Sequence, residues 1–226
     1  MKFIYAKGTC ALSVHILLEE MKANYRPIKV SLEDKTVLEH FNPKSYVPAI
    51  VLDNGELMTE AVSILQFLSL EHDSAFMPTD AFKRAKCVEW LTYISTELHK
   101  GAGPLFSRDE LSDDYLIDVT HKIGKRLQYL EDHLKDRAFI MDNDYTIADM
   151  YCLAILRILE HIKVDLTPYH SIDVYKRNLE DSAVIKQVLK DEVAAPLQDE
   201  IPEDDETVEI TYMRQEFRGS GELRNH

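Results

Sequence analysis

Basic residues are in short supply in this 226-residue chain. Lys and Arg number 26 against 40 Asp and Glu, for a formal net charge of −14 and a pI near 5.0. A surface with that balance repels phosphate backbones, which argues against nucleic acid as a partner. Cysteine is scarce as well. Cys10, Cys87 and Cys152 are odd in number, far apart and without a C-x-x-C spacing, so neither a disulfide framework nor a structural zinc site is expected. No apolar run approaches the roughly 18 residues a membrane helix needs. The opening Met1-Lys2-Phe3-Ile4-Tyr5-Ala6 is too short for a signal-peptide core and runs into patterned sequence, so a soluble, cytoplasmic protein is expected. What is present, 45% apolar and 29% charged residues, is ordinary for a globular chain and enough to bury a core in one large or two modest domains.

The texture changes along the chain. Lys2 to Ala6 is a short apolar strand, and Val14, Leu17, Leu18 and Met21 then line one face of a helix. Ile28, Val30 and Leu32 alternate with polar residues at period two. Ala49–Leu52 and Glu56–Met58 flank Asp53-Asn54-Gly55, a hairpin turn. Ala61, Ile64, Leu65 and Leu68 return to helical spacing. The stretch reads β-α-β, an intervening segment, then β-β-α, with the first two strands parallel because they need a crossover. From Ala81 only helical stripes recur, including a long one through Leu116, Val119, Ile123, Leu127, Leu130 and Leu134. Thr146-Ile147-Ala148-Asp149 has the form of a capping box. The expected organisation is therefore residues 1–75 as an α/β domain, 81–195 as an all-helical domain with residues 73–78 between them, and 196–226 as an acidic tail with little core of its own.

Three features bear on chemistry. Cys10 closes the loop Ala6-Lys7-Gly8-Thr9 just ahead of a helix, where free N–H groups and the helix dipole would favour a thiolate; the alternative is a small buried hydrophobe, the reading that suits Cys87 and Cys152. In Tyr46-Val47-Pro48-Ala49-Ile50 a proline precedes a strand, and a cis bond there would turn backbone polar groups outward for an extended peptide. Glu60 stands at the start of a helix whose first N–H groups could hold a carboxylate while the side chain holds an ammonium; it could equally serve the helix dipole alone.

The order Tyr5, Gly8, Cys10, Asn42-Pro43-Lys44, Val47-Pro48-Ala49, Leu57-Met58-Thr59-Glu60 and Thr146-Ile147-Ala148-Asp149 closely resembles the glutathione S-transferase family. A cysteine at the first helix, together with Leu98-His99-Lys100-Gly101 and Pro104-Leu105-Phe106-Ser107, resembles its bacterial Beta class. The resemblance spans about residues 1 to 194. It implies a thioredoxin-like N-terminal domain, an all-α C-terminal domain and a homodimer. It further implies glutathione as substrate with no other cofactor, a hydrophobic electrophile as second substrate, and a role in detoxification. By the same resemblance Cys10 faces the glutathione sulfur, Lys35 contacts the glycyl end, Val47 pairs with the cysteinyl unit beside cis Pro48, and Glu60 and Ala61 hold the γ-glutamyl end. Thr92 and the segment Thr96, Glu97, Leu98 and His99 would come from the partner subunit or border the second substrate. His99 would activate or orient a thiol, and Tyr5 is a further possible contact.

Some positions depart from the family pattern. Lys7 stands where Pro is usual and Ala61 where Ser or Gly is usual, the chain is shorter between Lys35 and Asn42, and the acidic tail is extra. The reading is an enzyme that transfers glutathione to an electrophile or exchanges it through a mixed disulfide at Cys10. The rivals are a non-catalytic scaffold of the stringent starvation type and an isomerase of the maleylacetoacetate type, whose serine-rich opening motif Gly8-Thr9-Cys10 lacks.

Overall fold

A computed structural model of the chain describes residues 1–72 and 75–201. Residues 73 and 74 of the expected linker and 202–226 of the expected tail lie outside the described residues.

The chain opens with β1 (Lys2–Tyr5), α1 (Ala11–Glu20), β2 (Arg26–Lys29), α2 (Thr36–Phe41), β3 (Ala49–Val51), β4 (Leu57–Thr59) and α3 (Ala61–Glu71). The four strands form one sheet in the order β2-β1-β3-β4. β1 and β2 run parallel across the α1 crossover, and the other pairings are antiparallel. Period-two alternation in β1 separates the two faces. Ile4 and Ala6 join Ile28, Val37, Leu38 and Phe41 in a small core under α2. Phe3 and Tyr5 point the other way, into the large core that α1 and α3 share with the helices that follow.

Those helices are α4 (Ala81–Tyr93), α5 (Asp113–Leu134), α6 (Ile147–His161), α7 (His170–Glu180) and α8 (Ala183–Ala194). α4 continues without a break into a π-helical stretch, Ile94–Lys100, and a 3₁₀ stretch, Gly103–Glu110, follows it. α1 lies between the sheet and α6, so every residue from Ala11 to Leu18 is buried. The expected capping box is present at α6: Ala148 N–H donates to Thr146 Oγ1 (3.3 Å) and Thr146 N–H donates to Asp149 Oδ2 (2.8 Å). Asp149 also accepts from Ile140 N–H and Tyr175 O–H, which ties the preceding loop and α7 to the same helix start. Among the described residues no helix is long and apolar enough to cross a membrane.

Candidate functional site

Between the α/β part and the helical part lies a cavity of about 610 Å³. The α/β wall is built from three chain segments. Gly8 takes φ +75°, a value that L side chains rarely adopt, and so lets the loop after β1 turn into α1. Thr9 fixes that loop by donating to Ala6 O (2.7 Å) and accepting from Ala11 N–H (3.3 Å). These contacts bring Cys10 to the cavity wall at the helix start.

The second segment runs from Asn42 to Pro48. Asn42 is fully buried; its amide donates to Tyr46 O (2.6 Å), its Oδ1 accepts from Lys44 N–H (3.0 Å), and its carbonyl accepts from Ser45 N–H (2.8 Å). The Val47–Pro48 bond is cis, and Cys10 Sγ lies 3.9 Å from Val47 O. The third segment is the start of α3. Glu60 holds φ +71°, a conformation costly for any residue but glycine and kept mostly where function requires it. Its Oε1 accepts from the Tyr46 hydroxyl (2.6 Å), and its side chain makes no cap to the first turn of α3. The N–H groups of that turn are left for a ligand.

The helical wall carries Ser95, His99, Lys100, Phe106, Tyr151 and Ile158. His99 Nδ1 lies 3.1 Å from the Tyr151 hydroxyl. Burial, aided by the Lys100 charge, holds His99 below its ordinary pKa, so the ring is neutral at neutral pH. Burial pushes Tyr151 up, and it keeps its proton.

Cys10 departs from expectation. Burial pushes its thiol up to about 12; its backbone N–H opposes this and the Glu60 charge adds to it. The helix start does not win here, because a side chain only 9% exposed loses more solvation on ionising than the local dipole returns. Cys10 is thus a thiol placed to donate to Val47 O.

A model of the glutathione S-transferase C-terminal domain matches residues 93–180. The glutathione S-transferase GstA of Escherichia coli O157:H7 is 36% identical over 199 residues, covering 85% of this chain and 98% of that protein. The chain belongs to the glutathione S-transferase family. Among solved structures, a sphingomonad glutathione S-transferase complexed with glutathione superposes with a TM-score of 0.80 at 27% identity, covering 86% of this chain and all of that one. The Beta-class enzyme of Sphingomonas chungbukensis gives 0.78 at 28% identity, covering 85% and 98%. The glutathione S-transferase fold and the likeness to the Beta class thus stand on both sequence and structure.

Of the glutathione S-transferase positions expected from the sequence, Cys10, Lys35, Val47, Pro48, Glu60, Ala61 and His99 line the one cavity. The others do not. Tyr5 is 1% exposed and stacks on Phe3 with centroids 5.2 Å apart; β1 alternation aims it into the core, so it is not a contact. Leu98 is fully buried and cannot meet a ligand from either side. Thr92 and Thr96 are exposed outside the cavity, their hydroxyls donating one turn back to Val88 O and Thr92 O. Glu97 pairs with Arg126 of α5. The sequence reading missed Tyr151, which lines the cavity from α6. A tyrosine on an apolar face needs a partner for its hydroxyl, and that requirement was the available signal.

Proposed function

We propose that the protein conjugates glutathione to electrophilic small molecules. The observation that carries this reading is the two-sided cavity. One wall offers the groups a γ-glutamyl tripeptide needs: Glu60 for the ammonium, the uncapped first turn of α3 beside Ala61 for the adjacent carboxylate, the Val47 backbone for the cysteinyl unit, and Lys35 for the glycyl carboxylate. The other wall is largely apolar and aromatic, with Phe106, Tyr151 and Ile158. It suits a hydrophobic electrophile placed against the sulfur.

In the reaction the glutathione thiol loses its proton to solvent. Its sulfur then bonds to the electrophilic carbon, and the leaving group departs with its electron pair. Cys10, held as a thiol, serves best as a hydrogen-bond donor to that sulfur. The mixed-disulfide route needs a Cys10 thiolate, which burial disfavours. It is the secondary reading, supported by Cys10 lying in the cavity wall.

Two copies of the chain are proposed to pair through the outer face of α4 and the π-helical stretch that continues it, where Phe82, Thr92 and Thr96 are exposed. The test is retention on immobilised glutathione followed by turnover of a chloronitrobenzene. Retention without turnover of any electrophile would favour a non-catalytic scaffold, and no retention would overturn the reading.

A further inference from the structure

Lys7 has no part in the reading above. It departs from the family pattern, and it lines a second cavity, of about 430 Å³, whose walls include Leu12 of α1, Arg157 and His161 of α6, and Leu189 and Val193 of α8. Gly8 and Thr9 line this cavity and the main one alike, so the two meet at one loop. The space over that loop is open: Gly8 has no side chain, and a Cβ there would meet no atom within 4 Å. Ile158 of the main cavity and His161 of the second lie one turn apart on α6, and Phe106 and His161 border a further hollow together. The charges of the second cavity are uneven. Its carboxylate, Glu192, is 3% exposed and engaged with His15 at 3.4 Å. Arg157 pairs with Glu180 through Nη1 and keeps other N–H groups. Among the described residues Lys7 and His161 make no hydrogen bond or ion pair. A chain of net charge −14 repels anions as a whole, so an anion is held only where basic groups gather locally.

We propose that the electrophile is an apolar organic acid whose reactive carbon meets the glutathione sulfur in the main cavity while its carboxylate binds at Lys7, Arg157 and His161 in the second. Its body passes over Gly8 and rests on Leu12, Leu189 and Val193. An apolar floor with a few basic groups at one end is the lining such a ligand needs. The proposal rests on the transferase reading above for the reaction, and on the second cavity alone for the anion site. The chemistry is unchanged: the sulfur bonds to carbon and the leaving group departs with its electron pair. The carboxylate takes no part in bond making, so Lys7 determines specificity and is not a catalytic residue.

Two measurements test it. The probes are a chloronitrobenzoyl group joined to glycine, aminobutanoate or aminohexanoate, each compared with its uncharged primary amide. At low salt at least one acid should exceed its amide about fivefold in kcat/KM, the upper worth of an exposed ion pair. Lys7→Glu should turn that acid-to-amide ratio below one, the amide serving as reference for folding and for the reaction itself. Wild type without a preference for the acid at any spacer length, or an unchanged ratio in the variant, overturns the proposal. Calorimetry keeps the anion site apart from the transferase reading. The same compounds with hydrogen in place of chlorine cannot react, yet the acid should bind wild type about fivefold more tightly than its amide and lose that advantage in Lys7→Glu. A wild type that turns over none of the chlorinated probes would sink the transferase reading and leave the decision to this binding. A carboxylate preference that depends on Lys7 then upholds the anion site, and equal binding of acid and amide overturns it.

Discussion

At the scale of single residues, two side chains carry opposite lessons about position. Cys10 occupies a helix start, yet burial holds it protonated up to about 12. Alkylation by iodoacetamide should therefore be slow near neutrality and rise about tenfold per pH unit through the alkaline range, since only the thiolate reacts. Cys87 is pushed up to about 11, but it and Cys152 are fully buried, so access keeps them silent. Peptide mass spectrometry should find Cys10 modified first, and a rate already at its plateau near neutral pH would mean that the helix dipole prevails after all. Glu60 is in the reverse situation: its backbone is strained and its carboxylate faces the cavity. Glu60→Gly should leave the melting temperature unchanged or raise it, because relief of a positive φ recovers about 1 kcal/mol or more. The same change should weaken glutathione binding roughly ten- to hundredfold through loss of a charge-assisted bond. Calorimetry and a thermal scan on one variant check both halves.

At the scale of elements, the strands and the capping box were legible because each has a local rule: period two in β1, a hairpin turn at Asp53-Asn54-Gly55, Thr and Asp three apart at α6. The α/β wall of the site was legible for a similar reason, since Cys10, Pro48 and Glu60 each stand at the start of an element. The helical wall was not. A π-helical stretch has no spacing signature of its own, and Ser95, Lys100 and Tyr151 reach one cavity only through how α4 and α6 pack. The stretch ends at Gly101, whose N–H reaches five residues back to Thr96 O (3.1 Å). A Cβ there would lie 2.2 Å from the Glu97 carbonyl oxygen. Gly101→Ala should accordingly cost about 1–3 kcal/mol and displace His99, so that turnover falls together with thermal stability. Another device invisible from spacing is the cap of α7. Its own N-terminal residue offers no side-chain cap, and Glu131 of α5 instead accepts from Ser171 and Ile172 N–H, both at 2.9 Å. Burial pushes this carboxyl up, but the two backbone donors outweigh it and hold it below its ordinary 4.5. A depressed folded-state pKa means that the stability is fully present above the unfolded value and is lost as pH falls through the folded one. Glu131→Gln should therefore melt lower than wild type at neutral pH, by about 1–2 kcal/mol. The gap should close as pH drops below about 4.5.

At the scale of the whole molecule, the question is how the end of the helical part is tied to the α/β part. His15 of α1 and Glu192 of α8, both nearly inaccessible, meet at 3.4 Å. Lys29, the last residue of β2, donates to Glu192 O and Ala195 O at 2.8 Å each, and its own carbonyl accepts from Gln198 N–H at 2.8 Å. β2 is an edge strand, and such edges expose unpaired backbone unless something covers them. The segment just after α8 does this, so the expected tail is not uniform: its first residues belong to the fold. Two truncations separate the parts. Ending the chain after Ile201 should leave the melting temperature, glutathione retention and the Michaelis constant for the electrophile as they are, because every contact just named is kept. Ending it after Ala194 removes one of the two acceptors of Lys29 and the amide on its carbonyl. That should cost about 2 kcal/mol, or roughly 4–8 °C in a chain of this size, with little effect on the Michaelis constant, since none of these groups lines the cavity. A severalfold change in that constant on removing residues 202–226 would instead make the acidic extension part of the electrophile pocket. A drop in melting temperature from the shorter deletion would place a further anchor beyond Ile201.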